Sequence, residues 1–223
     1  MHKRFRAVIF DLDGLLADSE PWWNQIDTKL LAEYGVAYRG EDHRNVLGIS
    51  YRLATEFYKN AFHISASVEE LIRRRAEIAS EFFAKRVGLF PLAKATLERL
   101  REMKLCLALA TSSVSASARP FLERTGIRHF FDIIVTGDQI GRGKPHPDIY
   151  LITAEKLQLN SNGCLVIEDA LAGITAARAA NMRVAAIPDT RFVDPCEYTK
   201  EADYVLHDLS EVPALVDHID AAA

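Results

Sequence analysis

The sequence AVIFDLDGLLADSEPWW, residues 7–23, decides the expected fold. It opens with four apolar residues, Ala7 to Phe10, and passes directly to Asp11 and Asp13. An unbroken apolar run of this length is typical of a strand buried on both faces of a parallel sheet. Both aspartates then lie at the carboxyl end of that strand, where open α/β sheets bind ligands. The stretch therefore predicts the first strand of an α/β fold and the place of its ligand site.

Five further apolar runs of the same kind follow along the chain. They lie at residues 105–110, 133–135, 164–167, 184–187 and 204–206. From about residue 94 onward they alternate with helical patterns, the fourth of which ends at Ala180 with Asn181 as a left-handed terminal residue. Alternating strands and helices connect through right-handed crossovers. We therefore expect a Rossmann-like, doubly wound parallel sheet.

The segment between the first two strands has a different pattern. Residues 17–86 contain no strand-like run, and helical patterns cover residues 20–34, 51–62 and 68–86. Ser67 and Glu70 have the spacing of a capping box before the last of these. We expect a helical cap domain at residues 17–86, inserted into an α/β core domain made of residues 1–16 and 87–223.

Composition narrows the class of partner. The chain has 223 residues, a formal net charge of -4 and 49% hydrophobic residues, as in a globular protein with a buried core. Such a balance gives no broad basic surface for nucleic acid or an anionic membrane. Three scattered cysteines make neither a disulfide framework nor a zinc site. The N-terminal apolar run is too short for a signal peptide or a membrane span, so we expect a cytoplasmic protein. We also expect it to be a monomer and to act on a small molecule.

Polar residues follow four of the predicted strands. The set is Asp11, Asp13, Thr111, Ser112, Lys144, Glu168 and Asp169. Four carboxylates on one rim repel each other, and a hard dication such as Mg²⁺ relieves that repulsion with oxygen ligands. The dication, the lysine and the threonine hydroxyl then surround an anion, which is the arrangement that a transferring phosphoryl group needs. The residues thus indicate phosphoryl transfer.

These motifs together resemble those of a known family. DxDG followed by DSEP, a strand-terminal Thr-Ser, a KPxP lysine and a strand-terminal Glu-Asp are similar to the haloacid dehalogenase superfamily. The match is to its phosphatase and beta-phosphoglucomutase-like branch with a small helical cap, and it covers essentially the whole chain. The resemblance implies Mg²⁺-dependent hydrolysis of a small phosphorylated metabolite, such as a sugar or polyol phosphate, through an aspartyl-phosphate.

The resemblance also implies four catalytic roles. Asp11 matches the nucleophile, which also ligates the metal. Asp13 matches the general acid and base, with its backbone carbonyl on the metal. Thr111 matches the hydroxyl that holds the phosphoryl group, and Lys144 matches the lysine that steadies the charge of nucleophile and phosphoryl group.

The remaining implied roles concern the metal and the substrate. Asp169 matches the acidic metal ligand, and Glu168 its neighbour, which ligates directly or through water. Ser112 is expected to donate its backbone N–H to the phosphoryl group. In the cap, Trp23 and Arg52 are the candidate substrate-binding residues.

Two departures from the family pattern bear on function and structure. Mutases of the branch resemble one another in having histidine where this chain has Trp23, and arginine three residues after the cap glycine, Gly48, where it has Tyr51. An indole cannot take a proton from a sugar hydroxyl, which favours hydrolysis over a mutase reaction. The other departure is Leu92, which follows Pro91 where the family often has glycine.

Three alternatives stay open on the sequence. A phosphosugar mutase shares every core residue, a dehalogenase shares the fold without Asp13 and the metal acids, and a non-catalytic binding protein could keep the fold but usually loses the nucleophile. Simpler structural roles also compete for single residues. One of Trp22 and Trp23 is expected to lie in the cap core, and residues 73–75, all arginine, are expected on a solvated helix face.

Overall fold

The computed structural model describes residues 5–39, 46 and 51–221. In chain order its strands are β1 (Ala7–Phe10), β2 (Ala17–Asp18), β3 (Gly88–Leu89), β4 (Cys106–Thr111), β5 (Ile133–Thr136), β6 (Cys164–Glu168), β7 (Arg183–Ala186) and β8 (Tyr204–Val205). Six of them form a parallel sheet in the order β5-β4-β1-β6-β7-β8. Because β1 lies between β4 and β6, the direction of the winding reverses beside it, and ligands bind at such a switch point.

Helices flank this sheet and also form the segment between β2 and β3. They are α1 (Glu20–Ala32), α2 (Tyr51–Ala61), α3 (Val68–Lys85), α4 (Ala93–Glu102), α5 (Ser115–Arg124), α6 (Asp148–Lys156), α7 (Leu171–Ala179) and α8 (Glu211–Ala221). Val8 and Phe10 of β1 belong to the apolar core on one face of the sheet, and Ala7 and Ile9 to the core on the other. Burial on both faces explains why the strand is an unbroken apolar run. The predicted doubly wound α/β fold is confirmed.

Local details follow the sequence closely. β1 has the predicted bounds, and the other sheet strands begin and end within one residue of theirs. Asn181 has a φ of 56°, the left-handed conformation expected at the end of its helix. Ser67 accepts a hydrogen bond from the backbone N–H of Glu70 at 3.1 Å, as a capping residue does.

The segment of residues 17–86, called the cap segment below, leaves and rejoins the sheet through a two-stranded antiparallel ribbon. Ala17 of β2 pairs with Leu89 of β3, and Asp18 pairs with Gly88. Between the strands of this ribbon run α1, α2 and α3. The expected division into a core domain and a cap domain of residues 17–86 stays a prediction.

One helix of the cap segment packs directly on the core. Phe83 of α3 meets Phe121 of α5 edge to face, with 6.0 Å between the ring centroids. Arg124 of α5 donates to the backbone carbonyls of Phe83 and Val87. This contact holds the cap segment over the carboxyl end of the sheet. In the part of the chain that the structure describes, no helix is long and apolar enough to cross a bilayer.

Candidate active site

The turn after β1 brings Asp11 and Asp13 to the switch point. Asp11 continues the ladder of β1, because its backbone N–H donates to Ile167 of β6 at 3.1 Å. Gly14 then turns the chain with a φ of 76°, where side chains with a Cβ are strained. A Cβ at Gly14 would also lie 2.1 Å from Oδ2 of Asp169. Glycine is thus required both for the turn and for the close approach of Asp169.

Lys144 connects two of the strand ends. Its Nζ donates to Oδ1 of Asp11 at 2.5 Å, to Oε1 of Glu168 at 2.6 Å and to the carbonyl of Ala110 at 3.2 Å. Burial opposes the ammonium charge, but Asp11 and Glu168 hold the pKa of Lys144 well above its usual value. The lysine is therefore a fixed cation beside the Asp11 carboxylate.

Glu168 is a structural support for that lysine. Its Oε1 accepts from Lys144 and from the hydroxyl of Tyr150, each at 2.6 Å, and its Oε2 accepts from the backbone N–H groups of Asp169 and Ala170, each at 3.1 Å. A carboxylate has about four acceptor positions. All are used, and the residue is only 1% exposed. Glu168 as a metal ligand, direct or through water, stays a prediction, and its described contacts are all with protein donors.

Asp169 and Asp11 have the character of cation ligands. Asp169 is half-buried and accepts no side-chain hydrogen bond from the described residues, while burial and the carboxylates of Glu168, Asp11 and Glu20 raise its pKa well above the usual range. Burial also raises the pKa of Asp11 to about 7, with Glu168 and Asp13 adding to the effect against Lys144. Unrelieved carboxylate repulsion of this kind is what a bound dication removes.

Asp11 and Asp169 are candidate ligands for Mg²⁺, with water and a backbone carbonyl completing the set. No group of three or more His, Cys, Asp or Glu side chains within residues 5–39, 46 and 51–221 is placed to hold a metal ion. Mg²⁺ commonly takes one or two carboxylates and keeps several waters. Asp11 and Asp169, with a backbone carbonyl such as that of Asp13, make an all-oxygen set of that kind.

Three donors hold the Asp13 carboxylate. The indole Nε1 of Trp23 donates to Oδ1 at 3.0 Å, and the hydroxyls of Ser113 and Thr111 donate to Oδ2 at 2.8 and 3.2 Å. Ser113 was missed by the sequence analysis, although it extends the polar run Thr-Ser-Ser after β4. The hydroxyl of Thr111 also accepts from the backbone N–H of Ser113 at 3.0 Å, and its side chain is fully buried. In this structure the Thr111 hydroxyl therefore helps to hold the Asp13 carboxylate in place.

A cavity of about 90 Å³ joins these groups to the cap segment. Its lining contains Asp11, Asp13, Glu20, Trp23, Tyr51, Arg75, Ser112, Ser113, Lys144, Glu168 and Asp169. A second cavity of about 260 Å³ adjoins it and shares Tyr51 and Ser112 with it. The structure thus brings every predicted core residue except the buried Thr111 to the wall of one cavity.

Among the described residues, the cation that the cap segment places at this cavity is Arg75 and not Arg52. Arg52 is 55% exposed, pairs with Glu56 and Glu69, and lines only the second cavity. Arg75 is 5% exposed, which corrects its expected place on a solvated helix face. Its Nε and Nη2 donate to the buried carboxylate of Asp27 at 2.6 and 2.9 Å. The glycine from which the mutase arginine is counted, Gly48, lies outside the described residues.

Trp23 has both of the roles that the sequence analysis set against each other. Its ring packs edge to face on Tyr51 and tilted against Phe83, at centroid distances of 5.7 and 5.5 Å. Its polar edge reaches Asp13 at the cavity. Trp22 instead packs against Phe82 on the other side of α1 and does not reach the site.

Comparison with known proteins decides the family. A family model described as haloacid dehalogenase-like hydrolase matches residues 8–187. The chain belongs to this family. It is 34% identical over 176 residues to a phosphorylated carbohydrates phosphatase of Thermotoga maritima, covering 79% of this chain and 82% of that protein. It is 29% identical over 220 residues to hexitol phosphatase B of Escherichia coli, covering 95% and 96%. The expected enzyme class, a phosphoric monoester hydrolase, is thereby confirmed.

Solved structures of the haloacid dehalogenase-like family share the fold. The structure of beta-phosphoglucomutase from Clostridium difficile superposes with a TM-score of 0.80 over 96% of this chain and 98% of that one. At 24% sequence identity this likeness shows the fold alone.

Proposed function

We propose that this haloacid dehalogenase-like hydrolase cleaves a sugar or polyol phosphate in a Mg²⁺-dependent reaction through an aspartyl-phosphate at Asp11. The observation that carries the proposal is the contact of Lys144 with Asp11 at 2.5 Å, opposite an Asp13 carboxylate in the same small cavity. A nucleophile, a fixed cation and a proton carrier thus face one space. The names of the relatives, which refer to phosphorylated carbohydrates and a hexitol, support the substrate class.

In the first step the Asp11 carboxylate attacks the phosphorus of the bound ester. A bond forms between phosphorus and a carboxylate oxygen of Asp11, the bond to the ester oxygen breaks, and that oxygen takes a proton from Asp13. Lys144 compensates the charge on Asp11 and on the phosphoryl oxygens. Mg²⁺, held by Asp11, Asp169 and a backbone carbonyl, would neutralise phosphoryl charge and orient the group.

In the second step water releases the phosphate. Asp13, now ionised, takes a proton from the water while the water oxygen bonds to phosphorus, and the bond between phosphorus and Asp11 breaks. Inorganic phosphate leaves and Asp11 is restored. Trp23, Thr111 and Ser113 hold the Asp13 carboxylate in a fixed orientation for this step.

The choice of hydrolysis over a mutase reaction rests on Trp23. A mutase must hold the phosphoenzyme until a sugar hydroxyl attacks it, and a group near Asp13 must accept or direct that hydroxyl. The indole of Trp23 is a donor only, and its donor is already given to Asp13. Water is then the acceptor of the phosphoryl group.

The test measures products and not only turnover. The protein with Mg²⁺ is given hexitol phosphates, hexose phosphates and p-nitrophenyl phosphate, and released phosphate is followed beside sugar isomerisation. We expect phosphate release at the rate of substrate loss, with no need for a bisphosphate activator. Conversion of glucose 1-phosphate to glucose 6-phosphate faster than phosphate appears would establish a mutase. Absence of phosphate release from every ester would favour a non-catalytic protein.

A further inference from the structure

Arg75 lies buried in the cap segment with part of its hydrogen-bonding capacity unused. A guanidinium has five N–H groups, and here only Nε and Nη2 donate to a protein acceptor, the carboxylate of Asp27. No other hydrogen bond of Arg75 to the described residues exists, although the side chain is 5% exposed and lines the cavity of Asp11. The unused N–H groups of Arg75 are therefore open to water or to a molecule bound in the cavity.

Tyr51 is a second group of the same kind. Its hydroxyl is buried and has no hydrogen-bond partner among the described residues. It belongs to the wall of both cavities, and its ring lies 4.5 Å from the Arg75 guanidinium carbon. Two polar side chains with unused hydrogen-bonding groups therefore lie side by side on the wall of the cavity that Asp11 and Asp13 also line.

The geometry holds Arg75 rigidly. Asp27 binds it through two parallel hydrogen bonds, and the rings of Trp23 and Tyr51 lie 4.7 and 4.5 Å from its guanidinium carbon at a steep angle to each other. Such bidentate pairing and aromatic contact fix a guanidinium far better than they would fix a lysine. Fixed donors of this kind select a ligand by the positions of its acceptor atoms.

The charge of the cavity decides which acceptors suit it. Of the described residues, the carboxylates Asp11, Asp13, Glu168 and Asp169 line it together with the cations Lys144 and Arg75, and the proposed Mg²⁺ would offset part of the carboxylate charge. Asp27 already compensates Arg75, so the guanidinium offers directed N–H groups more than a free positive charge. A second phosphate on the substrate would meet this carboxylate excess, whereas neutral hydroxyl oxygens would not.

We infer that Tyr51 and Arg75 recognise the leaving group of the substrate, and that this group is a neutral polyol or sugar carrying the scissile phosphate as its only phosphate. The inference rests on the proposed hydrolysis and names the residues and charge that set its specificity. Tyr51 and Arg75 bind leaving-group hydroxyls, and monophosphates are preferred over bisphosphates.

The test compares substrates that do and do not offer hydroxyl groups. Tyr51→Phe and Arg75→Lys are assayed with a hexitol monophosphate, with p-nitrophenyl phosphate, and with fructose 6-phosphate beside fructose 1,6-bisphosphate. Each variant should lose about 10-fold or more in kcat/KM for the hexitol phosphate, and less than about threefold for p-nitrophenyl phosphate, which has no hydroxyls to bind. Arg73→Met, on the same helix but 72% exposed, is the control and should change neither.

Stability separates recognition from a structural role. Tyr51→Phe removes a hydroxyl that contacts no protein acceptor, so the melting temperature should stay the same or rise while hexitol phosphate turnover falls. The inference is overturned if both variants affect the two monoesters equally, or if fructose 1,6-bisphosphate is hydrolysed with a kcat/KM equal to or above that of fructose 6-phosphate. Wild-type turnover of p-nitrophenyl phosphate reports on the proposed hydrolysis separately.

Discussion

The indole nitrogen of Trp23 donates to Oδ1 of Asp13 at 3.0 Å, which links the first helix of the cap segment to the proposed general acid and base of the core. The contact exists only while the cap segment covers the sheet. Opening of the cap segment would therefore remove one of the three donors that hold the Asp13 carboxylate.

Trp23→Phe tests this link. It keeps an aromatic ring against Tyr51 and Phe83 but removes the N–H donor. A hydrogen bond to a charged group contributes about 1.5–3 kcal/mol, so kcat should fall by roughly 10- to 100-fold. The same substitution one residue earlier, Trp22→Phe, is the matched control, because Trp22 packs on Phe82 and has no contact with Asp13. Equal losses in kcat for both variants would contradict the assignment.

Asp11→Asn should abolish turnover. The amide has a similar shape but is no nucleophile, and we expect a loss on the order of 10³-fold or more. Acid quenching and mass spectrometry should find a phosphoryl group on the wild-type peptide that contains Asp11 and none on the variant. Near-normal turnover by Asp11→Asn would place the nucleophile elsewhere.

Metal binding should be visible in stability as well as in activity. EDTA should stop turnover, and saturating Mg²⁺ should raise the melting temperature by several degrees, since a ligand at 100 times its Kd adds about 2.7 kcal/mol to the free energy of unfolding. Asp169→Asn should lose that response. Without metal it should melt no lower than the wild type, because the substitution removes a carboxylate that burial and three neighbouring carboxylates disfavour. Full activity in EDTA would exclude the metal.

Gly173→Ala should disturb the contact between Glu168 and Lys144 at the site. In the interior of a helix this change normally stabilises by roughly 0.5–1 kcal/mol. Here the new Cβ would lie 1.8 Å from Oε1 of Glu168, the atom that holds Lys144. We expect a kcat lower by about 100-fold or more and reduced stability. Gly163→Ala is the control, since nothing lies within 4 Å of a Cβ there. Wild-type activity in Gly173→Ala would show that Glu168 does not position Lys144.

Leu92→Gly should stabilise the protein. Leu92 has a φ of 68° and is 50% exposed, so it carries the strain of a left-handed conformation without burying its side chain. Relief of that strain amounts to about 1 kcal/mol, or a rise of about 2–4 °C in melting temperature for a chain of this size. Leu92→Ala keeps the Cβ and should bring no such gain. A lower melting temperature for Leu92→Gly would show that the leucine makes a stabilising contact.

The strand ends of the site were predictable because each rests on a local pattern. An apolar run followed by Asp11 or by Thr111 predicts a strand. Because the strands are parallel, it also predicts that the side chains at their carboxyl ends lie at the same edge of the sheet. The same patterns give the ends of the strands before Lys144 and Asp169. They do not show how the hydrogen bonds of Glu168 and Asp169 differ. That difference depends on the donors of Tyr150 and the backbone, which bond to the Glu168 carboxylate.

Arg75 could not be placed from local patterns. Its burial depends on Asp27, which is 48 residues earlier on another helix. One signal was present in the sequence, because Asp27 shares a helix face with Trp23 and Leu30, both buried. A carboxylate on an apolar face requires a cationic or donor partner, and three arginines in the third cap helix offered one.

The pair of Asp27 and Arg75 joins α1 to α3, so the side chain proposed to read the substrate also holds two cap helices together. Breaking a buried pair of this kind costs about 3–5 kcal/mol. Substitutions at Arg75 would therefore be penalised by unfolding before any new preference could be selected. Evolution of new substrates should instead run through the exposed Arg52 on the second cavity, where the side chain can change without loosening the helices.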